Sequence, residues 1–276
     1  MNSFARVLAM TAVLAPGVAA GAESARQLLT RLPRQLQLRQ DGPRRYRFIC
    51  DYLYTEPLGN PLWKERMSAE YTRTSAGGGA RWSNVRIARA KGFEEPFPEG
   101  EVQPFMEGFE YVLGSAKDTL KPEFFRGFPA ADMKPKNLVW DTHMIEDFAW
   151  RYFDKLELNR PYALQTAPED VPLAGAGTFQ NRRVELMWTG ISKRADRICA
   201  LIRYEAFGNK FEASAGNVIA RGRSHYWGEI WVSLRDKQIE YATLLEDVLT
   251  EVSPPGQPAK QLFSVFRKGT FEPLPK

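Results

Sequence analysis

One histidine and three carboxylates fall within seven residues, Asp141-Thr142-His143-Met144-Ile145-Glu146-Asp147. Metal sites draw on such groups. Yet no second histidine lies nearby, and the spacing matches no His-Glu-x-x-His pattern. The order of residues fits a helix start better. Asp141 or Thr142 serves as N-cap, and Glu146 and Asp147 sit near the positive end of the dipole. Ile145, Phe148, Tyr152 and Leu156 then share one face. The spacing predicts a helix over 141–156 and no metal site.

The chain has 2 histidines, so His225 is the other candidate base. Ser224 and His225 are adjacent, and on a strand they point to opposite faces. His225 and Glu229 share a face but stand about 13 Å apart at four strand steps. No Gly-x-Ser-x-Gly elbow accompanies either residue. Paired carboxylates for glycoside chemistry are defined by separation in space, and nothing in the spacing singles out a pair. The expectation is no catalytic residue and no cofactor, with an exported hydrolase using Asp141, His143 or His225 as the last-ranked alternative.

Aromatic density is the other notable feature: 7 Trp, 10 Tyr and 17 Phe. Large rings fill cores and also line apolar grooves. The inward-pointing apolar positions that would line such a groove are Tyr52, Tyr226, Ile230 and Val232 on strands, with Phe148 and Tyr152 on the covering helix. Trp227 and Trp231 fall on the more polar face with His225 and Glu229.

These residues need elements to position them, and strand patterns dominate. Tyr46, Phe48, Cys50, Tyr52 and Tyr54 alternate with polar neighbours. Segments 64–74 and 81–89 read as a hairpin across a Gly-rich loop. Segments 178–191, 198–207, 218–234, 239–252 and 261–271 follow, joined by short turns, as in an antiparallel meander. Gly222 and Gly228 interrupt the long run. Segment 239–249 also has helical spacing and good helix formers, but the short preceding turn favours a strand. Between the halves, 91–137 mixes seven Phe with Pro and Gly, and short helices over 103–113 and 121–126 are expected.

The predicted fold is α+β and mainly antiparallel β. It is a strongly curved sheet or half-barrel of about eight strands, with a helical insert near 91–156 on its concave side. The strand order resembles that of curved-sheet envelope proteins that carry lipids or lipoproteins, and no motif extends the resemblance to a residue.

At 276 residues the chain is long enough for a sizeable core. Residues 1–22 read as a secretory signal: Arg6, a short apolar run, then Ala20-Gly21-Ala22. The mature chain is expected to be periplasmic or secreted, with no transmembrane segment. A basic amphipathic leader over 23–40 carries Leu28, Leu29, Leu32 and Leu36 at helical spacing, and a single domain over 41–276 follows. Residues 23–47 hold seven Arg against two acids, so the net charge of +5 belongs to this leader on a near-neutral body. That is not the basic stripe of a nucleic-acid-binding face. Cys50 and Cys199 form an even pair in an exported chain, which admits a disulfide. Two separate buried thiols are the competing reading, because sequence does not place the Cα atoms within reach.

Three functions are compatible with these features. The first is a carrier for an apolar ligand such as a lipid or acyl chain. The second is a non-enzymatic structural or assembly partner of an envelope protein, and the hydrolase is third.

Overall fold

The computed structural model describes residues 43–275, apart from 75–77, 114–116, 130–131, 165–168, 216–217 and 254–259. The expected signal and basic leader therefore lie outside the described residues.

Eight long antiparallel strands carry the fold: β1 (Arg44–Thr55), β2 (Pro61–Arg73), β3 (Gly79–Ala90), β9 (Arg183–Arg194), β10 (Arg197–Ala215), β11 (Val218–Ser233), β12 (Ile239–Ser253) and β13 (Gln261–Pro273). Five short strands bring the described total to thirteen, against the expected eight: β4 (Glu101–Val102), β5 (Glu110–Val112), β6 (Tyr162–Ala163), β7 (Glu169–Pro172) and β8 (Gly177–Asn181). All pair in one sheet of order β4-β3-β2-β1-β13-β12-β11-β10-β8-β7, which is not closed; β9 also pairs with β10, and β6 with β9. The expected single strand over 178–191 is broken at Arg182. Its two parts, β8 and β9, pair with successive stretches of β10 on either side of a bulge between Ala206 and Asn209. Gly208 takes φ 72° there, where a side chain would be strained. Asn209 accepts the Arg182 N–H at 3.1 Å, so the partner strand steps where β10 does.

The period-two pattern in β1 is a burial pattern. Tyr46, Phe48, Cys50 and Tyr52 are buried, while Arg45 and Arg47 are exposed. β1 meets β13 directly, Phe48 opposite Phe271 and Tyr52 opposite Arg267. First and last strands thus lie side by side in mid-sheet, and the insert between β3 and β9 must pass from one side of the sheet to the other. It does so over one face. Along the way it touches Tyr71 on β2, Arg267 on β13, Tyr204 on β10 and Trp188 on β9.

The glycines in β11 are not interruptions. A Cβ at Gly228 would come within 2.1 Å of the Thr243 carbonyl and 2.7 Å of the Tyr204 hydroxyl. At Gly222 the obstacles are the Leu249 carbonyl and the Phe211 ring. Neighbouring aromatic side chains lie across the bare backbone, which lets the rings pack closely.

The helix, α1, spans Lys134–Glu146 and not 141–156. Pro135 occupies its first turn, where its missing N–H costs nothing. Asp132 accepts the Lys134 N–H at 3.1 Å. A π-turn over Asp147–Arg151 and a 3-10 turn over Phe153–Lys155 continue it. Asp141, Thr142 and His143 are therefore mid-helix residues, and Glu146 and Asp147 lie at the negative end of the dipole. Arg73 and Arg151 pair with these two acids and offset that cost. The expected helices at 103–113 and 121–126 are 3-10 turns at Pro104–Met106, Asp118–Leu120 and Pro122–Phe125, with β5 between the first two. Phe109 packs on Phe128 at 4.9 Å between centroids, and Phe125 on Trp140 of α1 at 5.5 Å.

Candidate functional site

The helix-facing side of the sheet carries an aromatic and aliphatic layer. Tyr46, Phe48, Met67, Tyr71, Ile230 and Phe271 are fully buried. Tyr46 stacks on Phe271 at 4.4 Å. Against this layer α1 buries Pro135, Leu138, Val139 and Ile145, with the polar Lys136, Thr142 and Glu146 among them.

Lys134 of α1 pairs with Glu65 of β2 at 3.5 Å, and two more deeply buried ionic clusters also join helix to sheet. In the first, the Arg267 guanidinium lies between Asp141 of α1 and Glu246 of β12 and donates to both. The Ser224 hydroxyl donates to the other Glu246 oxygen at 2.5 Å. The guanidinium sits 5.2 Å from the Tyr52 ring centre. Burial pushes the Asp141 carboxyl up to about 6, although Arg267 pulls the other way. Burial also opposes the charge of Arg267, but Asp141, Tyr52 and Glu246 more than offset this and hold it well above the usual range. Two groups at this point have no oxygen or nitrogen hydrogen-bond partner among the described residues: Arg267 Nε and the Tyr52 hydroxyl. Tyr52 is 3% exposed and Arg267 8%.

The second cluster lies at the C-terminal end of α1. Glu146 pairs with Arg73 and accepts from the Tyr71 hydroxyl at 2.9 Å. Trp150 lies under the Arg73 guanidinium at 4.5 Å. His143 packs beside Tyr111 at 5.3 Å, its Nε2 without a partner among the described residues. Burial lowers its pKa, which keeps the ring neutral at pH 7. Among the described residues no group of three or more His, Cys, Asp or Glu side chains is arranged to hold a metal ion. His225 lies on the opposite face, where its Nδ1 accepts the Gly208 N–H at 3.0 Å.

The expected groove residues lie in the layer between sheet and insert. Tyr52, Phe148, Tyr226, Ile230 and Val232 are buried, and Tyr152 is half-buried. Phe148 and Tyr226 both pack against Tyr204, at 5.2 and 6.4 Å; Tyr152 lies further on, 6.4 Å from Tyr162. Hollows of about 270 and 310 Å3 lie elsewhere, one lined by Thr178, Phe211 and Arg221, the other by Arg194, Arg197 and Glu272. Trp227 and Trp231 are on the face turned away from α1.

Of the two readings of the cysteines, the structure has the second: Cys50 and Cys199 are free, buried thiols. Strands β13, β12 and β11 lie between their strands. At about 4.8 Å per strand the two backbones are some 19 Å apart, far beyond bridging distance.

Sequence reasoning missed Arg73, Glu146 as an ion-pair partner, Glu246 and Arg267. Arg267 carried a usable signal, since it falls on the buried side of the alternation Val265, Arg267, Gly269, Phe271. A charge at an inward position must find a partner.

No family model matches the chain, and no curated protein matches it. Among solved structures, lipovitellin, from a study of its lipid–protein interactions, is similar with a TM-score of 0.41 and 10% identity over 87% of this chain. The likeness covers 26% of lipovitellin, so this chain spans about a quarter of that protein. A DUF1329 family protein from Desulfovibrio piger is similar with a TM-score of 0.16 and 7% identity over 90% of each chain. Likenesses this weak carry no argument about what the chain does.

Proposed function

We propose that the chain is an exported, periplasmic carrier that binds an apolar ligand such as a lipid or acyl chain and catalyses no reaction. In this reading the sheet curves as a half-barrel, and the insert is a cover on its concave side that lifts when ligand enters.

The observation that carries the reading is that buried ion pairs, set among apolar contacts, fasten one helix across the apolar face of the sheet. The sheet side is aromatic and aliphatic, with Tyr46, Phe48, Met67, Ile230 and Phe271 fully buried. The helix side meets it with Leu138, Val139 and Ile145, sets Lys136, Thr142 and Glu146 among them, and is fastened by ion pairs at Arg73 and Arg267. Buried ion pairs stabilise little, because desolvation offsets much of their attraction, but they fix one arrangement. The polar groups of this cover tolerate water when it lifts. The exposed sheet does not, and an acyl chain would replace the lost contacts. Export rests on the sequence of residues 1–22 alone.

The test is titration of the full mature chain with a fluorescent fatty acid, with hydrogen exchange followed across residues 134–146. Saturable binding that speeds exchange in α1 is the expected result. Absence of saturable binding for every lipid probe, with α1 protected throughout, sinks the carrier reading.

A further inference from the structure

We infer that Arg267 and Tyr52 form an anionic-headgroup site, and that the Asp141 carboxylate of α1 occupies it as a built-in stand-in for the headgroup of an acidic amphiphile. This rests on the carrier reading and adds the chemical class of its ligand.

The argument begins with donors. Arg267 spends one terminal nitrogen on Glu246 and the other on Asp141, while its Nε has no oxygen or nitrogen acceptor. The Tyr52 hydroxyl beside it has no oxygen or nitrogen acceptor either, and both donors are left with the Cys50 thiol, a weak acceptor. Both residues are more than nine-tenths buried. Buried polar groups are nearly always satisfied, so two orphaned donors at one point ask for an acceptor. Asp141 reaches the guanidinium through one oxygen only. A carboxylate or phosphate arriving there would also find Arg267 Nε and the Tyr52 O–H, in the fork geometry that guanidinium offers to such anions.

The charge arithmetic favours exchange rather than addition. Glu246 stays with Arg267 because Ser224 holds its second oxygen. When α1 lifts, Asp141 leaves with it and one negative charge is lost. An anionic headgroup restores that charge, whereas a neutral one leaves Arg267 with Glu246 alone. The apolar tail would lie along the apolar layer of the sheet that includes Phe48, Leu244 and Ile230. All three are buried on this face. The helix therefore competes with ligand at both ends of the molecule: its carboxylate against the headgroup and its body against the tail.

The experiment compares palmitate, a lysophosphatidic acid and hexadecanol on the full mature chain at pH 7.5. Hydrogen bonds to a charged partner contribute enough for roughly a ten- to hundredfold preference. Tighter binding of the two anions than of the alcohol by that factor supports the site, and the stronger of the two anions identifies carboxylate or phosphate as the preferred headgroup. Asp141→Asn changes what α1 gives up on lifting, so it should move all three affinities by one factor and leave the preference for anions intact. Arg267→Gln should erase the preference. Should that variant fail to fold, Arg267→Gln combined with Asp141→Asn and Glu246→Gln removes the stranded charges and serves instead. Equal binding of all three amphiphiles, with or without Asp141→Asn, overturns the headgroup site and leaves the carrier reading standing. Binding of none overturns both.

Discussion

Asp141 and Arg267 are 126 residues apart in the chain, yet their ion pair ties the middle of α1 to the middle of the sheet. The sheet side of this contact follows from register alone, because β13 lies between β1 and β12 and has Tyr52 and Glu246 opposite Arg267. The helix then supplies one carboxylate. Which way that carboxylate shifts stability depends on pH.

The Asp141 carboxyl is raised to about 6 when α1 is docked. A raised folded-state value means that its contribution is fully present below the ordinary carboxylate pKa near 4 and is lost as pH rises through 6. The shift corresponds to something on the order of 2–3 kcal/mol. His143 works in the opposite sense. Burial lowers its pKa, so support from its neutral ring fades as pH falls below its ordinary value. The difference between wild type and Asp141→Asn isolates the carboxyl. We expect the variant to be more stable than wild type at pH 7.5 and to lose that advantage by pH 4.5, as read from urea midpoints. An advantage that grows on acidification would contradict the assignment.

Ile230→Ala should cost about 2–5 kcal/mol, the usual range for a large-to-small core change. Ile230 is fully buried and lies opposite Ile202 on β10 and Ala242 on β12. The methyl groups removed leave a cavity that neighbouring strands hold open. Denaturant unfolding measures the loss. A cost below about 1 kcal/mol would mean that this part of the face is already loosely packed without ligand.

The long strands were legible because their residues alternate. Tyr46 to Tyr52 and Tyr226 to Val232 have period two, and period two is a burial pattern whenever one sheet face is covered. Segment 239–249 was ambiguous by propensity, and its place between β11 and β13 decides for strand. The helix was misplaced because Asp141 and Thr142 are good caps and Pro135 resembles a breaker, although proline is at home in a first turn. The short strands were illegible for another reason: two or three residues, as in β4 and β6, carry no period. The ionic clusters lay beyond sequence because each joins distant segments, such as Arg73 with Glu146.

Gly228→Ala should destabilise by about 3 kcal/mol or more, at the severe end of overpacking. The new methyl would meet a backbone carbonyl, Thr243 O, and the Tyr204 ring. Neither can yield easily: the carbonyl belongs to a central strand and accepts the Tyr204 hydroxyl at 2.7 Å. Gly190, with nothing within 4 Å of an added Cβ, marks the contrast in space, although its positive φ makes alanine strained there as well. Thermal unfolding of Gly228→Ala should show a midpoint lower by several degrees. A midpoint within a degree of wild type would mean that β11 and β12 are further apart than the structure places them.

The two thiols should be present, free and slow to react. Burial pushes Cys50 up to about 12, with Arg267 opposing, and Cys199 likewise reaches about 12. The thiolate is the reactive form, so at pH 8 both thiols are held protonated and unreactive. Both side chains are also closed to reagent by their strands. We expect a disulfide reagent to titrate two thiols per chain in guanidinium chloride without reductant, and close to none in the native protein over the same minutes. Lifting α1 exposes the two unequally. Cys50 lies one pair along β1 from Tyr52, beneath the helix, whereas Cys199 pairs with Ser233 and Ser192 far from Arg267. A saturating fatty acid should therefore change the rate at Cys50 and leave Cys199 as slow as before, a difference that peptide mapping of the modified chain resolves. Equal acceleration at both would point to general unfolding and not to movement of the helix.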